Sequence, residues 1–279
     1  VALWFGIDRG LSPLKTLRQT LRDKRTDDTN PIDGGHAPAE LQPVIGALNG
    51  LLTRLAQALA HQRAFTDAAA HELRTPLTAI DTHLQVARLV EGEEGQASLQ
   101  HAEEGVRRLR HTLDQMMTLA RTEGAMQNVD PCASVTAVVG DMLARMDAPS
   151  RARIVLTTDG LDAGTPIPKH MLDTSIRNLV DNALRYSPAD QPIALHVAFD
   201  SRDKRCRIEV TDRGPGLSDK QAEQIGQRFW RGDQGRRQGE GAGLGISIVR
   251  AIMGRFGGAL ELKPREGGGL LAVLQMPLI

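Results

Sequence analysis

The chain is poor in aromatic residues, 3% of its 279 positions. That argues against one large aromatic-filled globule and for helical or coiled-coil parts. Its two cysteines, Cys132 and Cys206, lie far apart and share no metal-ligand spacing. Both are therefore expected to be reduced packing residues in a reducing compartment. Neither sign of charge prevails: 34 Lys plus Arg against 34 Asp plus Glu give a formal net charge of zero, and nothing global points to nucleic acid. No G-K-[ST] occurs, so a P-loop is excluded. A long apolar run is missing too: the opening VALWFGI falls far short of the ~20 residues of a membrane span. It also lacks the basic leader and cleavage site of a signal peptide. Val1 to Ile7 reads as the cytoplasmic end of a membrane helix, with Trp4 as interfacial anchor and Arg9 on the inner side, or else as a short interfacial helix.

What is present divides the chain. Leu11 to Arg25 reads as a short amphipathic helix with Pro13 near its start, where a missing amide is tolerated. The polar stretch RTDDTNPIDGGHAPAE, rich in Gly, Pro and Asp, cannot be helical throughout. Leu41, Ile45, Leu48, Leu52, Leu55 and Leu59 then alternate four and three apart, as a coiled-coil seam does. This helix is expected to run on until EGEEGQ at 91–96, where two glycines predict a turn. A return helix follows with Leu99, Ala102, Val106, Leu109, Leu113, Met116 and Ala120 on one stripe, and with Met116 and Met117 as core packing. A hairpin of two such helices cannot bury both stripes, so pairing with a second copy into a four-helix bundle is expected. After Gly124 the pattern changes to strands at 153–157, 192–199, 205–210, 259–262 and 270–276, with helices at 169–186 and 244–256. That order suggests an α/β sandwich, not a regularly alternating doubly wound sheet.

Several residues carry candidate chemistry. In FTDAAAHELRTPLTAI, His71 directly precedes Glu72, and Thr75 shares its helix face one turn on. A carboxylate bonded to one ring nitrogen would fix the tautomer and free the other as a nucleophile, and Pro76 offers a place to bend the helix. The seven other histidines read as ordinary surface or core residues. Asn178 and Asn182 are four apart with Arg185 within one turn, a face suited to a hydrated Mg²⁺ and phosphate, although asparagines so spaced are equally at home in solvent. DRGPGL follows a strand, and Gly214 and Gly216 permit close backbone approach; alone the string also fits a plain turn. The long segment from Leu217 to Gly239 reads as a lid, with Arg236 and Arg237 as solvated charges. Gly241, Gly243 and Gly245 lead into a helix whose amino end can meet phosphate.

Taken in order, HELRTP, NLVDNALRYS, DRGPGL, RFWRGD and GAGLGISIV resemble the H, N, G1, F and G2 boxes of two-component sensor histidine kinases. The helix–connector–helix before them, with Pro13 and Glu40 in place, resembles a HAMP linker. The resemblance implies a multidomain α and α+β chain: the end of a transmembrane helix at 1–8 and HAMP at 9–60. A dimerisation and histidine phosphotransfer hairpin at 61–125 and a Bergerat-type α/β sandwich at 130–279 follow. It implies that ATP with Mg²⁺ phosphorylates His71, with Glu72 as its base partner and Thr75 serving phosphatase chemistry on the regulator. Asn182 is then the Mg²⁺ ligand and Asn178 a phosphate organiser. Arg185 stands where lysine is more common, Tyr186 lies against adenine, and Asp212 accepts its amino group. Phe229 anchors the lid, Arg231 reaches the terminal phosphate, and Gly214, Gly216, Gly241, Gly243, Leu244 and Gly245 shape the nucleotide cradle. Implied partners are a second copy, a response regulator and a bacterial inner membrane, with this part on its cytoplasmic side and no nucleic acid. The linker looks most like that of the tricarboxylate- and quorum-sensing sensors. Two rivals stand beside this reading: an ATPase of the gyrase, chaperone or repair type, and a signalling scaffold without turnover.

Overall fold

The computed structural model describes residues 14, 18–19, 22–24, 28–33, 38–39, 41–124, 130–218, 221, 224–231, 242–265 and 267–279. The expectations for Val1–Ile7, Arg9, Pro13, Glu40, Arg236, Arg237 and Gly241 lie outside them. By its contacts the chain forms two units, 1–70 and 71–279. Among the described residues no helix is long and apolar enough to cross a membrane.

Helix α1 (Gln42–Leu89) is unbroken, with Pro76 inside it, so the proline does not end the helix. In the first unit the seam residue Ile45 is buried, whereas Leu55 remains exposed. Asn49 fastens the connector by accepting from the Ile32 amide at 2.7 Å and donating to its carbonyl at 3.0 Å. One amide side chain thus satisfies both backbone groups of a buried residue in a segment with no ladder of its own.

In the second unit, the end of α1 pairs with helix α2 (Glu93–Glu123). Gly105 allows the close approach, since a Cβ there would come within 2.6 Å of Ile80 Cγ1. The expected stripe on α2 divides. Ala102 and Met116 are buried, as is Leu119 beside the stripe, while Leu99, Val106, Leu113 and Ala120 stay exposed, and Met117 is 54% exposed and not a core residue. The reason is geometric: one α-helical neighbour covers only part of an apolar face as broad as this.

The remainder is a five-stranded sheet with helices. Helices α3 (Val135–Ala144) and α4 (Ala148–Ala152) precede β1 (Ile154–Asp159), and helix α5 (Lys169–Tyr186) connects it to β2 (Ile193–Asp200). Strand β3 (Arg205–Thr211), helix α6 (Gly245–Arg255), β4 (Ala259–Pro264) and β5 (Leu270–Pro277) complete it. The order is β1-β2-β3-β5-β4, with β1 and β2 parallel and the other pairs antiparallel. This is the mixed order expected. Sequence alone missed α3, whose near-continuous VTAVVGDMLA has no clear period. Ser134 caps it by accepting from the Ala137 amide at 3.0 Å.

Helix α5 has two faces. Met171, Leu172, Ser175, Ile176, Leu179, Val180 and Ala183 recur three and four apart and are buried. The opposite side carries Asn178, Asp181, Asn182 and Arg185. At its carboxyl end Arg153 donates to the carbonyls of Leu184, Pro188 and Gln191, the shortest bond being 2.7 Å. The guanidinium fork so satisfies a helix end and the turn behind it. Leu172→Ala should cost about 2–5 kcal/mol, because a fully buried side chain leaves a cavity between packed elements. Urea unfolding followed by circular dichroism measures it, and a loss below ~1 kcal/mol would contradict this packing.

Candidate functional site

The polar face of α5 borders a cavity of about 510 Å³ closed by β3, β5, the loop after β3, the segment before α6 and the start of α6. Of the residues expected here, Asn178, Asn182, Arg185, Tyr186, Asp212, Gly216, Arg231, Gly243 and Gly245 line it. Gly214, Phe229 and Leu244 do not line it. Gly214 stands one step back, its amide donating to Asp212 Oδ1 at 2.8 Å. Leu244 is fully buried, its carbonyl accepting the Ile248 amide at 2.9 Å and the Ser247 hydroxyl at 2.7 Å. Phe229 holds a φ of 62°, a left-handed conformation rare for a bulky side chain, and the neighbouring Trp230 faces the cavity in its place.

The two ends of the cavity differ chemically. At one end Val210, Leu270 and Ala272 surround Asp212, which is buried at the end of β3. Its Oδ1 accepts the amides of Gly214 at 2.8 Å and Leu270 at 3.1 Å. Oδ2 has no protein partner among the described residues. Ser187 ties the end of α5 to this loop by accepting the Arg213 amide at 2.9 Å. At the other end, Gly245 lies so close to α5 that a Cβ would meet Asn178 Oδ1 at 2.6 Å. Gly243, at φ 69°, packs against the backbone of Trp230, where a Cβ would come within 2.6 Å of the carbonyl oxygen. These contacts bring the amino end of α6, with its free amides and favourable dipole, up to the asparagines. Tyr186 is eight residues from Asn178, about 12 Å along the helix. An apolar, carboxylate-marked end and an amide- and cation-lined end at that separation suit a base and a phosphate chain.

The Asn182 side chain has no protein hydrogen bond among the described residues and borders the cavity. No cluster of three or more His, Cys, Asp or Glu able to hold a metal occurs among the described residues. This donor set fits Mg²⁺ held mainly by phosphate and water with a side-chain amide oxygen, not a dedicated protein cage.

His71 lies on the exposed side of α1 and does not line the cavity. No hydrogen bond joins its ring to Glu72 among the described residues, so the expected side-chain pair is not formed here. Thr75 Oγ donates to the His71 carbonyl at 3.3 Å. The hydroxyl hydrogen is thereby committed and only its oxygen lone pairs remain available.

Sequence reasoning missed five of the charged or polar groups in the wall, Ser218 and Gln221 of the loop after β3 among them. Asp181 could have been found, since it lies three residues from Asn178 on the same face. His111 and Gln115 reach the cavity from α2, a tertiary approach that no local pattern announces. Burial against the concave wall raises the Asp181 carboxyl above its ordinary range, with Arg177, His111 and Arg185 opposing. The side chain is nevertheless 44% open, so the effect on stability is discounted accordingly.

Three families match the sequence. They are the histidine kinase-, DNA gyrase B- and HSP90-like ATPase over residues 169–279, the His Kinase A (phospho-acceptor) domain over 61–125, and the PhoQ-like sensor protein HAMP domain over 11–57. The sensor protein kinase PmrB of Pseudomonas aeruginosa is 33% identical over 290 residues, covering 99% of this chain and 58% of PmrB. The sensor protein BasS of Escherichia coli K12 is 32% identical, covering 91% of this chain and 69% of BasS. The chain spans 58–60% of the length of PmrB and the similar QseC sensors. Among solved structures, the Acinetobacter baumannii histidine kinase AdeS superposes with a TM-score of 0.59 at 21% identity, over 75% of this chain and 98% of that one. Histidine kinase ThkA in complex with the response regulator protein TrrA gives a TM-score of 0.62 at 17% identity, over 80% of this chain and 64% of that one. At such identities these likenesses show the fold.

The raised Asp181 carboxyl predicts a pH effect of definite sign. The native state holds that proton more tightly than the unfolded chain, so this stability is present below the ordinary carboxylate range and lost as pH rises through the raised value. Asp181→Asn should therefore melt above the parent protein at about pH 8, and the two should converge below about pH 4. Thermal melts across that range test it; an equal gap at both extremes would remove the ionisation argument.

Proposed function

Because the chain belongs to the sensor histidine kinases of two-component systems, we propose that it transfers the γ-phosphoryl group of ATP to His71 and then to an aspartate of a response regulator. The observation that carries the reading is the two-ended cavity. In this reading Asp212 Oδ2 accepts the adenine amino group, and Asn178, Asn182, Arg185 and the amino end of α6 meet the phosphates; their sharing one cavity wall, with Asp212 Oδ1 held by two backbone amides, supports it. Tyr186 flanks the base, and Arg231 is the lid cation for the terminal phosphate. Asn182 would hold Mg²⁺, which supplies charge neutralisation when bound.

The residues of this chain divide the chemistry. A lone pair on a neutral His71 ring nitrogen attacks γ-phosphorus, the P–N bond forms as the bond to the bridging oxygen breaks, and ADP leaves with the electron pair. Glu72 takes up or orients the proton on the other ring nitrogen, and Thr75 positions water when phosphate is removed from the regulator. Such transfers depend on positioning and charge neutralisation more than on covalent help from the protein. His71 is surface-exposed on a different element from the cavity, so the step requires the catalytic part to approach the acceptor helix of its own chain or of a second copy. Pairing of two hairpins into a four-helix bundle would cover the exposed Leu99, Val106 and Leu113, and a membrane-side signal would arrive through the HAMP linker. The TrrA complex of ThkA supports a response regulator as acceptor.

Incubation with labelled ATP and Mg²⁺ should yield an acid-labile, base-stable phosphoprotein. His71→Gln should bind ATP with unchanged affinity yet take up no label, and retained labelling would remove His71 as the acceptor. Asn182→Ala should weaken Mg²⁺-dependent ATP binding by at least about ten-fold, the scale of one lost charge-assisted contact. Calorimetric titration with and without Mg²⁺ measures it, and equal affinity in the variant would reassign the metal.

A further inference from the structure

Two of the histidines that read as ordinary in the sequence meet across the hairpin, away from the nucleotide cavity. His83 of α1 and His101 of α2 hold their ring centroids 5.1 Å apart, with the planes tilted by 34°. Two imidazoles bound through nitrogen to one tetrahedral ion, each at about 2.0–2.1 Å, would hold their ring centres about 5 Å apart as well. The pair already stands at the separation that a shared ion requires. His83 is half-buried and His101 exposed, so an ion can enter from solvent. His83 Nδ1 lies 3.4 Å from the hydroxyl oxygen of Ser98, a buried residue of α2. With its proton on Nδ1, His83 donates to that oxygen and keeps the Nε2 lone pair for a metal. Such an outer hydrogen bond fixes the tautomer and ring orientation of metal-bound histidines generally. The backbone beneath is set as well. Ile80 lies one turn before His83 and Gly105 one turn after His101, and a Cβ on Gly105 would come within 2.6 Å of Ile80 Cγ1. Ile80 and Ala102 are buried in this contact.

We propose that His83 and His101 form a two-histidine site for a divalent transition-metal ion of the Zn²⁺, Cu²⁺ and Ni²⁺ class, and that the bound ion cross-links α1 to α2. Glu104, three residues on from His101, faces Arg108 at 3.7 Å, so the donor set is two neutral imidazoles with water in the remaining positions. Imidazole nitrogen suits zinc, copper and nickel, whereas Mg²⁺ and Ca²⁺ demand oxygen. Because the two ligands come from different helices, the ion binds the paired hairpin better than the separated helices, and so stabilises the pairing by mass action. The site belongs to the hairpin alone and does not depend on the kinase reading.

The test uses the full chain free of any affinity tag, titrated with Zn²⁺ by calorimetry and with Cu²⁺ followed by electron paramagnetic resonance. One ion should bind per chain, Cu²⁺ more tightly than Zn²⁺, with the Cu²⁺ signal split by two nitrogens. An excess of Mg²⁺ of about a hundred-fold should leave the Zn²⁺ affinity unchanged. His83→Gln and His101→Gln should each weaken Zn²⁺ binding by at least about ten-fold, and Ser98→Ala, which keeps both imidazoles, by about ten-fold through loss of ring orientation. His170→Gln, on α5, should bind as the parent does. Zn²⁺ at about ten times its Kd should raise the thermal midpoint of the parent by about 3–6 °C and leave that of the double variant His83→Gln, His101→Gln where it was. Absence of Zn²⁺ and Cu²⁺ binding in the folded parent would overturn the site. So would one ion per two chains, or binding that survives loss of either histidine. A parent that binds ATP and takes up no Zn²⁺ or Cu²⁺ would overturn the site and leave the kinase reading intact.

Discussion

The rotational register of α5 is the constraint on which the site depends. Seven buried residues at three- and four-residue spacing set the helix against its neighbours, and that setting alone turns Asn178, Asp181, Asn182 and Arg185 toward the cavity. A shift of one position would turn each side chain by about 100° and put amides and charges where Leu172 and Ile176 now pack. The apolar half of the helix therefore fixes the chemistry of the other half. The same logic explains why Gly245 is small: the α6 backbone must approach Asn178 more closely than any side chain permits.

Much of this architecture was legible because it is local and periodic. The bounds of α5 and the five strands follow from apolar spacing, and strand ends differ from expectation by only a residue or two. Nine of the expected nucleotide-binding residues share one cavity wall, since ordered motifs bring their neighbours with them. What escaped was either ambiguous or tertiary. The run forming α3 fits strand and helix alike, and Met117 lies beside an apolar stripe whose covered part is set by a neighbouring helix. Phe229 departs through a left-handed backbone that no side-chain pattern reveals. His111 and Gln115 belong to the site only because α2 lies beside α5 and α6.

The proposed acceptor, His71, and the cavity are built with different tolerances. Around Asp212, two backbone amides and the Ser187 link hold that end of the cavity in place. Around His71, by contrast, the imidazole stands exposed on a helix surface, with only its own carbonyl engaged by Thr75. A residue proposed to meet both a nucleotide and a regulator would benefit from such openness, because each partner could complete its surroundings in turn. Precision at the cavity and accessibility at His71 are thus separate properties, and the chain assigns them to separate elements.

The Arg153 fork has a consequence for how the Asp212 end of the cavity comes apart. Its bonds reach the last turn of α5 and both sides of the turn that follows, but they share one planar group as donor. Bonds with a common donor are lost together when that group swings away, so the contacts of Arg153 behind Tyr186 are released in one side-chain event, while the Ser187 link to Arg213 still holds the helix end against the cavity.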